Sequence, residues 1–316
     1  MYSYDDYYKV KAEIENRRLT ALSEADSRSA ALRAQSEELR KIDEELAGTG
    51  PLIFKTACTG GDIEPIRKRN RELNERRKKI IISLGYPEDY TDVHYTCKEC
   101  SDTGYINGTK MCRCLHDALV KQAILSSGIG NLIEKQSFEN FDLERYKFDP
   151  ALYEDMKRIV QAAKRFAKGF RKADYNLLLV GTTGSGKTHL ATAIAREVIE
   201  LGCDVLYDSV QNIMNDFESD HFRSGYTYHE PKGNKYLECD LLIMDDLGAE
   251  FVNQFTISAL FNLINTRHNK GLKTVITSNL DVEELGRKYD GRILSRIMGN
   301  NTQLLYCRSK DSRVYN

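Results

Sequence analysis

Eight consecutive residues, Gly181-Thr182-Thr183-Gly184-Ser185-Gly186-Lys187-Thr188, follow the apolar run Leu177 to Val180 and precede a helix-forming stretch that opens with His189. This is the phosphate-loop spacing G-x-x-x-x-G-K-[ST] in its required place between a strand and a helix. Glycines let successive backbone N–H groups turn inward around an anion. Lys187 brings a point charge for the β- and γ-phosphates, and the Thr188 hydroxyl is placed to ligate Mg²⁺. The helix that follows points its positive N-terminal dipole at the same anion. A glycine-rich turn without a ligand is the alternative. The expectation is a nucleoside triphosphate site.

A second chemical position lies about sixty residues further on, where Leu241 to Met244 closes on Asp245-Asp246. A buried parallel strand reads as a continuous apolar run, and ligands sit at its carboxyl end. Asp245 is thereby placed for the Mg²⁺ hydration shell and Asp246 for orienting or deprotonating the attacking water; an acidic surface turn is the other reading. The next strand, KTVITSN, ends on Asn279 at the level of the γ-phosphate. Arg292 and Arg296 then stand four residues apart on one helical face, either a solvated basic face or an arginine finger for a neighbouring subunit. Phe251 and Phe255 follow the acidic pair closely enough to stack on bases of single-stranded DNA, with a core role for Phe255 as the competing account.

Four of the eight cysteines form a third group: Cys97-x-x-Cys100, then Cys112-x-Cys114. Two thiolate pairs across a glycine-bearing loop suit tetrahedral Zn²⁺ with no open position. His116 could replace Cys114, and a redox pair or unliganded thiols are the alternatives. Cys58, Cys203, Cys239 and Cys307 are isolated, and three of them lie in or beside expected strands, which makes them core thiols.

These groups need elements to hold them. The first fifty residues contain no Pro, and their two glycines, Gly48 and Gly50, come only at the end. Tyr7, Val10 and Ile14, and again Leu39, Ile42 and Leu46, recur at i, i+3, i+7, a narrow apolar stripe on a long charged helix. Gly48, Gly50, Pro51, Gly60 and Gly61 are expected to form a turn region, followed by a helix over about 63–84 that stops at Gly85 and Pro87. The stripe either awaits a partner helix or packs on that second helix. Eight basic residues between Ile66 and Lys79 make a solvated face or a phosphate-contacting one. From Ser137, a polar-aromatic segment leads into a helix near 150–170. Strands at 176–180, 203–207, 240–245, 273–278 and 303–307 then alternate with helices, which predicts a five-stranded parallel sheet covered on both faces.

Composition excludes little. With Lys+Arg 46 against Asp+Glu 47, net charge announces neither nucleic acid nor membrane. No apolar stretch approaches the roughly 18–20 residues of a bilayer span, and the first residues have no signal-peptide core. The expectation is a cytoplasmic protein with no membrane partner, whose cysteines are thiols or metal ligands.

GTTGSGKT, LLIMDDLG, TSNL, GRILSRI and the C-terminal Arg313 together resemble, in order, the motifs of AAA+ replicative helicase loaders of the DnaC type, over about 138–316. CKECSDTGY…CRC and the helices before it resemble the N-terminal half of Gram-positive and phage members. The resemblance implies ATP and Mg²⁺ at Gly181 to Thr188 and Asp245, water activation by Asp246, Asn279 as sensor 1, Arg296 as the finger acting in trans (with Arg292 as second candidate), and Arg313 as a sensor 2-like arginine. It implies three regions: 1–95 for partner binding, 96–136 with the Zn²⁺ module and a connector, and 137–316 as the ATPase. The implied partners are a hexameric replicative DNA helicase, single-stranded DNA and further copies of the ATPase domain. Two departures matter. Asp246 stands where the superfamily usually has Glu, which suits slow, switch-like hydrolysis, and the residues after Arg296 are too few for the usual helical lid. The transposase-helper ATPases of the IstB type share this engine, and a scaffold that binds ATP without turnover is a third reading.

Overall fold

The long N-terminal helix expected from the sequence breaks at Ser36, where the backbone turns extended (φ −137, ψ 112) and the hydroxyl accepts the N–H of Leu39. A serine followed by Glu37 and Glu38 is a strong N-cap with favourable first-turn charge, so one helix becomes two. These are α1 (Tyr4–Gln35) and α2 (Glu37–Cys58). α2 in turn runs straight through Gly48, Gly50 and Pro51, where the sequence suggested a turn. Pro51 forfeits one backbone donor, and the Thr49 hydroxyl donates to Leu46 O at 2.7 Å within the same turn.

The computed structural model describes residues 2–130, 132–222, 231–299 and 301–308. They divide into two compact units, 11–115 and 1–10 with 116–316. In the first unit α2 packs on α3 (Glu64–Ser83). α3 ends in a Schellman turn, with Gly85 N–H on Ile82 O and Tyr86 N–H on Ile81 O. Leu39 and Ile42 are buried, and Leu39 joins Leu32 and Ile81 in one cluster. The Leu39 and Ile42 stripe is thus covered by α3, and three of the eight basic residues pair with the acidic side of α2. Arg69 meets Glu45 and Arg77 meets Asp43, each at 2.7 Å, and Arg76 bonds to Glu38. The Arg69 and Arg76 pairs are exposed and screened by solvent, whereas Arg77–Asp43 is largely covered; together they fix the register of α2 on α3. The short antiparallel strands β1 (Tyr105–Ile106) and β2 (Lys110–Met111) complete the unit.

In the second unit α4 (Arg113–Ser126) and α5 (Leu132–Lys135) lead to α6 (Pro150–Lys168), whose Asp149 cap accepts from the N–H groups of Ala151 and Leu152. Then follow β3 (Asn176–Val180), α7 (Lys187–Glu200), β4 (Val205–Ser209), α8 (Val210–His221), α9 (Asn234–Glu238), β5 (Leu241–Asp245), α10 (Gln254–Asn269), β6 (Lys273–Ser278), α11 (Val282–Lys288), α12 (Gly291–Ile297) and β7 (Thr302–Tyr306). The five strands β4-β5-β6-β3-β7 are all parallel. β3 and β5 are buried on both faces, which is why they read as unbroken apolar runs: Leu177, Leu179 and Ile243 enter one core, and Leu178, Val180, Leu242 and Met244 the other. Burying one such side chain stabilises by about 1.5–3 kcal/mol. In sequence β4 intervenes between the phosphate-loop strand and the acidic strand; in space it is β6, so the tips of β3, β6 and β5 stand side by side. Among the described residues no helix is long and apolar enough to cross a membrane.

Candidate functional site

The loop between β3 and α7 is shaped by two contacts that only glycine allows. At Gly181 (φ +148) a Cβ would lie 1.8 Å from Cys307 O, because Cys307 N–H continues the ladder of β7 onto Val180 O. At Gly186 (φ +82) it would lie 2.9 Å from the Phe141 ring and 3.1 Å from the Tyr146 hydroxyl. α7 begins immediately after, so the positive end of its dipole lies at the loop. Lys187 is buried, and its Nζ donates to Gly181 O, Thr182 O and Asn279 Oδ1, each at 2.8 Å. A cationic tip ringed by loop carbonyls and hollowed by glycine fits a phosphate chain.

The acidic side is a single hydrogen-bonded network. Asp245 closes β5, and its two carboxylate oxygens accept from the hydroxyls of Thr277 and Tyr207, each at 2.5 Å. Thr188 Oγ1 lies 3.3 and 3.4 Å from the same two oxygens. Asp246 has φ +59, uncommon for a residue with a side chain. Its N–H donates to Thr277 Oγ1 at 3.0 Å and its carboxylate accepts from Asn279 Nδ2 at 2.7 Å. Thr277 therefore joins both aspartates, and Asn279 joins Asp246 to Lys187. Thr188 and Asp245 present oxygen donors only, which fits a hard cation such as Mg²⁺. Thr188 and Asp245 would hold such an ion, which would neutralise phosphate charge when nucleotide is bound.

The segment 137–146 carries site residues to which the sequence reading gave no chemical role. His189 Nε2 bonds to Ser137 O at 2.8 Å, and its ring meets Phe141 edge-on at 5.1 Å. Phe141 stacks with Tyr146 at 6.1 Å, and the Tyr146 hydroxyl donates to Ser185 O at 3.2 Å. Burial lowers the pKa of His189 from its ordinary value and pushes the Tyr146 hydroxyl up to about 12, so both are neutral at pH 7 and His189 donates from Nε2. The cleft beside the loop, about 310 Å³, is lined by Asn140, Phe141, Arg145, Tyr146, Gly184 and His189 among others. The aromatic spacing in SFENFDLERY was the available signal.

Arg296 projects from α12, with Nε on Asn265 Oδ1 at 2.9 Å and its guanidinium 5.4 Å from the Phe261 ring centre. Arg292 lies 5.7 Å from the same ring and pairs with Asp290 at 2.8 Å. Phe251 is exposed, while Phe255 is half-buried against His221 and Phe222. Arg313 lies outside the described residues.

In the 11–115 unit the Sγ atoms of Cys97, Cys100, Cys112 and Cys114 all lie within 4.8 Å of one another, with Cys97–Cys112 at 3.7 Å and Cys100–Cys114 at 3.5 Å. A Zn–S bond of about 2.3 Å in a tetrahedron requires sulfurs about 3.8 Å apart, so the four fit that ion, with Cys114 as fourth member. Asp102 holds the knuckle: its carboxylate accepts the N–H groups of Thr96 and Cys97 at 2.8 and 2.9 Å and pairs with Arg17 at 2.6 Å. Burial alone would raise this carboxyl, but the two N–H groups and Arg17 outweigh it and hold the pKa below the usual value. Cys203, Cys239 and Cys307 are buried core thiols, and Cys58 is exposed.

Comparison with known proteins agrees with this geometry. Residues 129–300 match the family model described as IstB-like ATP binding protein. A protein of Buchnera aphidicola named replicative helicase loader DnaC is 29% identical over 191 residues, 60% of this chain and 74% of the relative. The Escherichia coli protein of the same name is 26% identical over 181 residues, 57% of this chain and 70% of the relative. A crystal structure of the DnaC helicase loader superposes over 56% of this chain and 99% of its own, at 20% identity and a TM-score of 0.47. The family match takes in more than half of the chain, and residues 181–188, Asp245, Asp246 and Asn279 with it; the chain belongs to the IstB-like ATP binding protein family.

Proposed function

We propose that this protein is an ATP-dependent loader that delivers a hexameric replicative DNA helicase to single-stranded DNA. One observation carries the reading: Lys187, Asn279 and Asp246 form one hydrogen-bonded chain, so the phosphate-binding cation, the strand-tip sensor and the water-orienting carboxylate move together. A γ-phosphate entering the loop competes with Asn279 for Lys187 and resets Asp246. That coupling suits a site that reports the state of its nucleotide. The names of the curated relatives supply the direction of the output.

In this account ATP and Mg²⁺ occupy the loop, Thr188 and Asp245, and the purine side of the nucleotide lies along Phe141, Tyr146 and His189. Arg296 of a neighbouring copy completes the site, Arg292 being the second candidate, and Arg313 contacts phosphate in cis. Asp246, one methylene shorter than the glutamate usual in the superfamily, sets slow turnover. Zn²⁺ on the four cysteines stiffens residues 96–136, and residues 1–95 hold the helicase while 137–316 form the ATPase and touch DNA through the exposed Phe251. A second reading, prompted by the IstB-like family name, is a transposase-helper ATPase that marks target DNA, which would be duplex. Equilibrium binding of the ATP-loaded chain to a poly-dT strand and to duplex of equal length separates the two. Preference for the single strand, reduced in Phe251→Ala at unchanged melting temperature, fits the loader. Preference for duplex opposes it.

A further inference from the structure

Tyr207 sits on β4, one strand away from the acidic pair, and has no place in the phosphate-loop or aspartate motifs. Its hydroxyl nevertheless donates to Asp245 Oδ2 at 2.5 Å, while Thr277 donates to Oδ1 at 2.5 Å. Each carboxylate oxygen has two lone pairs. With one on each oxygen taken by these hydroxyls, the plane of the carboxylate is fixed and a lone pair on each oxygen remains for the side on which Thr188 lies, at 3.3 and 3.4 Å. That is the side on which a cation between Thr188 and Asp245 would stand.

Tyr207 is itself held in place. Its N–H donates to Ser127 O at 2.7 Å, so the residues after α4 extend the edge of the sheet beyond β4. Gly128 follows with φ +80, and a Cβ there would lie 2.6 Å from Tyr207 O, so the approach requires glycine. α4 is fixed in turn by Asp6, whose carboxylate accepts from Gln122 at 3.0 Å and Ser126 at 2.6 Å. A phenol with an ordinary pKa of about 10 keeps its proton at pH 7, so Tyr207 is the donor in this bond.

We propose that Tyr207 is a positioning residue for the metal: it orients the Asp245 carboxylate so that Mg²⁺ bound with ATP meets a fixed oxygen rather than a rotating one. The proposal rests on the nucleotide reading above and goes beyond it, because it assigns metal affinity to a side chain outside the recognised motifs. Outer-shell partners of a metal ligand are typically worth about tenfold or more in metal affinity.

The experiment is equilibrium binding of a fluorescent ATP analogue to the full chain, first in EDTA and then across a Mg²⁺ titration, for the parent and for Tyr207→Phe, which keeps the ring and removes only the donor. The expected result is unchanged affinity in EDTA, unchanged melting temperature, and a rise of about tenfold in the Mg²⁺ concentration that gives half of the metal-dependent tightening. Superimposable Mg²⁺ titrations overturn the proposal. An equal loss with and without Mg²⁺ overturns it too, by assigning Tyr207 to packing. A parent chain that binds no ATP defeats the nucleotide reading and the proposal together, whereas failure of the proposal alone shows only in the variant.

Discussion

Lys187 Nζ donates to Asn279 Oδ1 at 2.8 Å, across the gap between the tip of β6 and the first residue of α7. The other end of the same amide holds Asp246 at 2.7 Å. A buried ammonium needs acceptors, and here one of them is the residue that also orients the acid. On the proposed reading, phosphate binding by Lys187 and water activation by Asp246 are separable by mutation.

Lys187→Ala is expected to weaken ATP binding at least about tenfold, the scale of a lost charge-assisted hydrogen bond. Asp246→Ala is expected to bind ATP within a few-fold of the parent and to lose about 100-fold or more in turnover. Binding and single-turnover assays on the two variants check the split. Parental turnover by Asp246→Ala would remove the residue from the chemistry.

Arg296 rests on Phe261 and Asn265 of its own chain. If it serves the next copy, Arg296→Ala binds ATP normally and loses turnover on the order of 1,000-fold. Mixing it with Lys187→Ala should restore part of the activity, since each supplies what the other lacks. Absence of rescue at every mixing ratio points to a cis role or a surface arginine.

The four-sulfur cluster predicts close to one Zn²⁺ per chain by elemental analysis. Cys97→Ser should lose the metal and lower the melting transition of the 11–115 unit, while ATP affinity stays within a few-fold of the parent. Metal-free protein with four titratable thiols at these positions contradicts the assignment.

Asp204 gives a pH signature. Burial first, then the charges of Asp240 and Asp6, push its carboxyl up to about 6. Between the unfolded value of about 3.9 and that folded value, the folded chain carries the extra proton. Stability from this group therefore falls as pH rises through the window and stays reduced above it. Asp204→Asn should melt above the parent at pH 8, with the difference closing as pH falls toward 4. Parallel melting-temperature profiles would show that the carboxyl is unperturbed.

The positions of the glycine-rich loop, Asp245-Asp246 and Asn279 were legible because each follows or closes a buried strand, where an unbroken apolar run marks the element and the first polar residue marks its tip. The cysteine spacing was legible for a similar reason, since a metal knuckle is local. The N-terminal helices were misread at two points: Ser36 breaks a helix that its apolar spacing would continue, and Pro51 is tolerated inside one. Tyr207, Thr277 and Tyr146 escaped notice because their contacts are made across strands or over the loop, 31 to 39 residues away in sequence. Spacing along the chain carries no record of such neighbours until the sheet order is known.

The most direct test of the central claim is helicase loading itself. Full-length chain, replicative helicase and closed circular single-stranded DNA are incubated with ATP or without nucleotide, and helicase retained on the DNA circle is counted. The account predicts a DNA-bound helicase ring with the parent chain and ATP, and little without nucleotide or with Lys187→Ala. Helicase that neither associates with the chain nor reaches the circle, alongside ATP-dependent binding of the chain to duplex DNA, would contradict it.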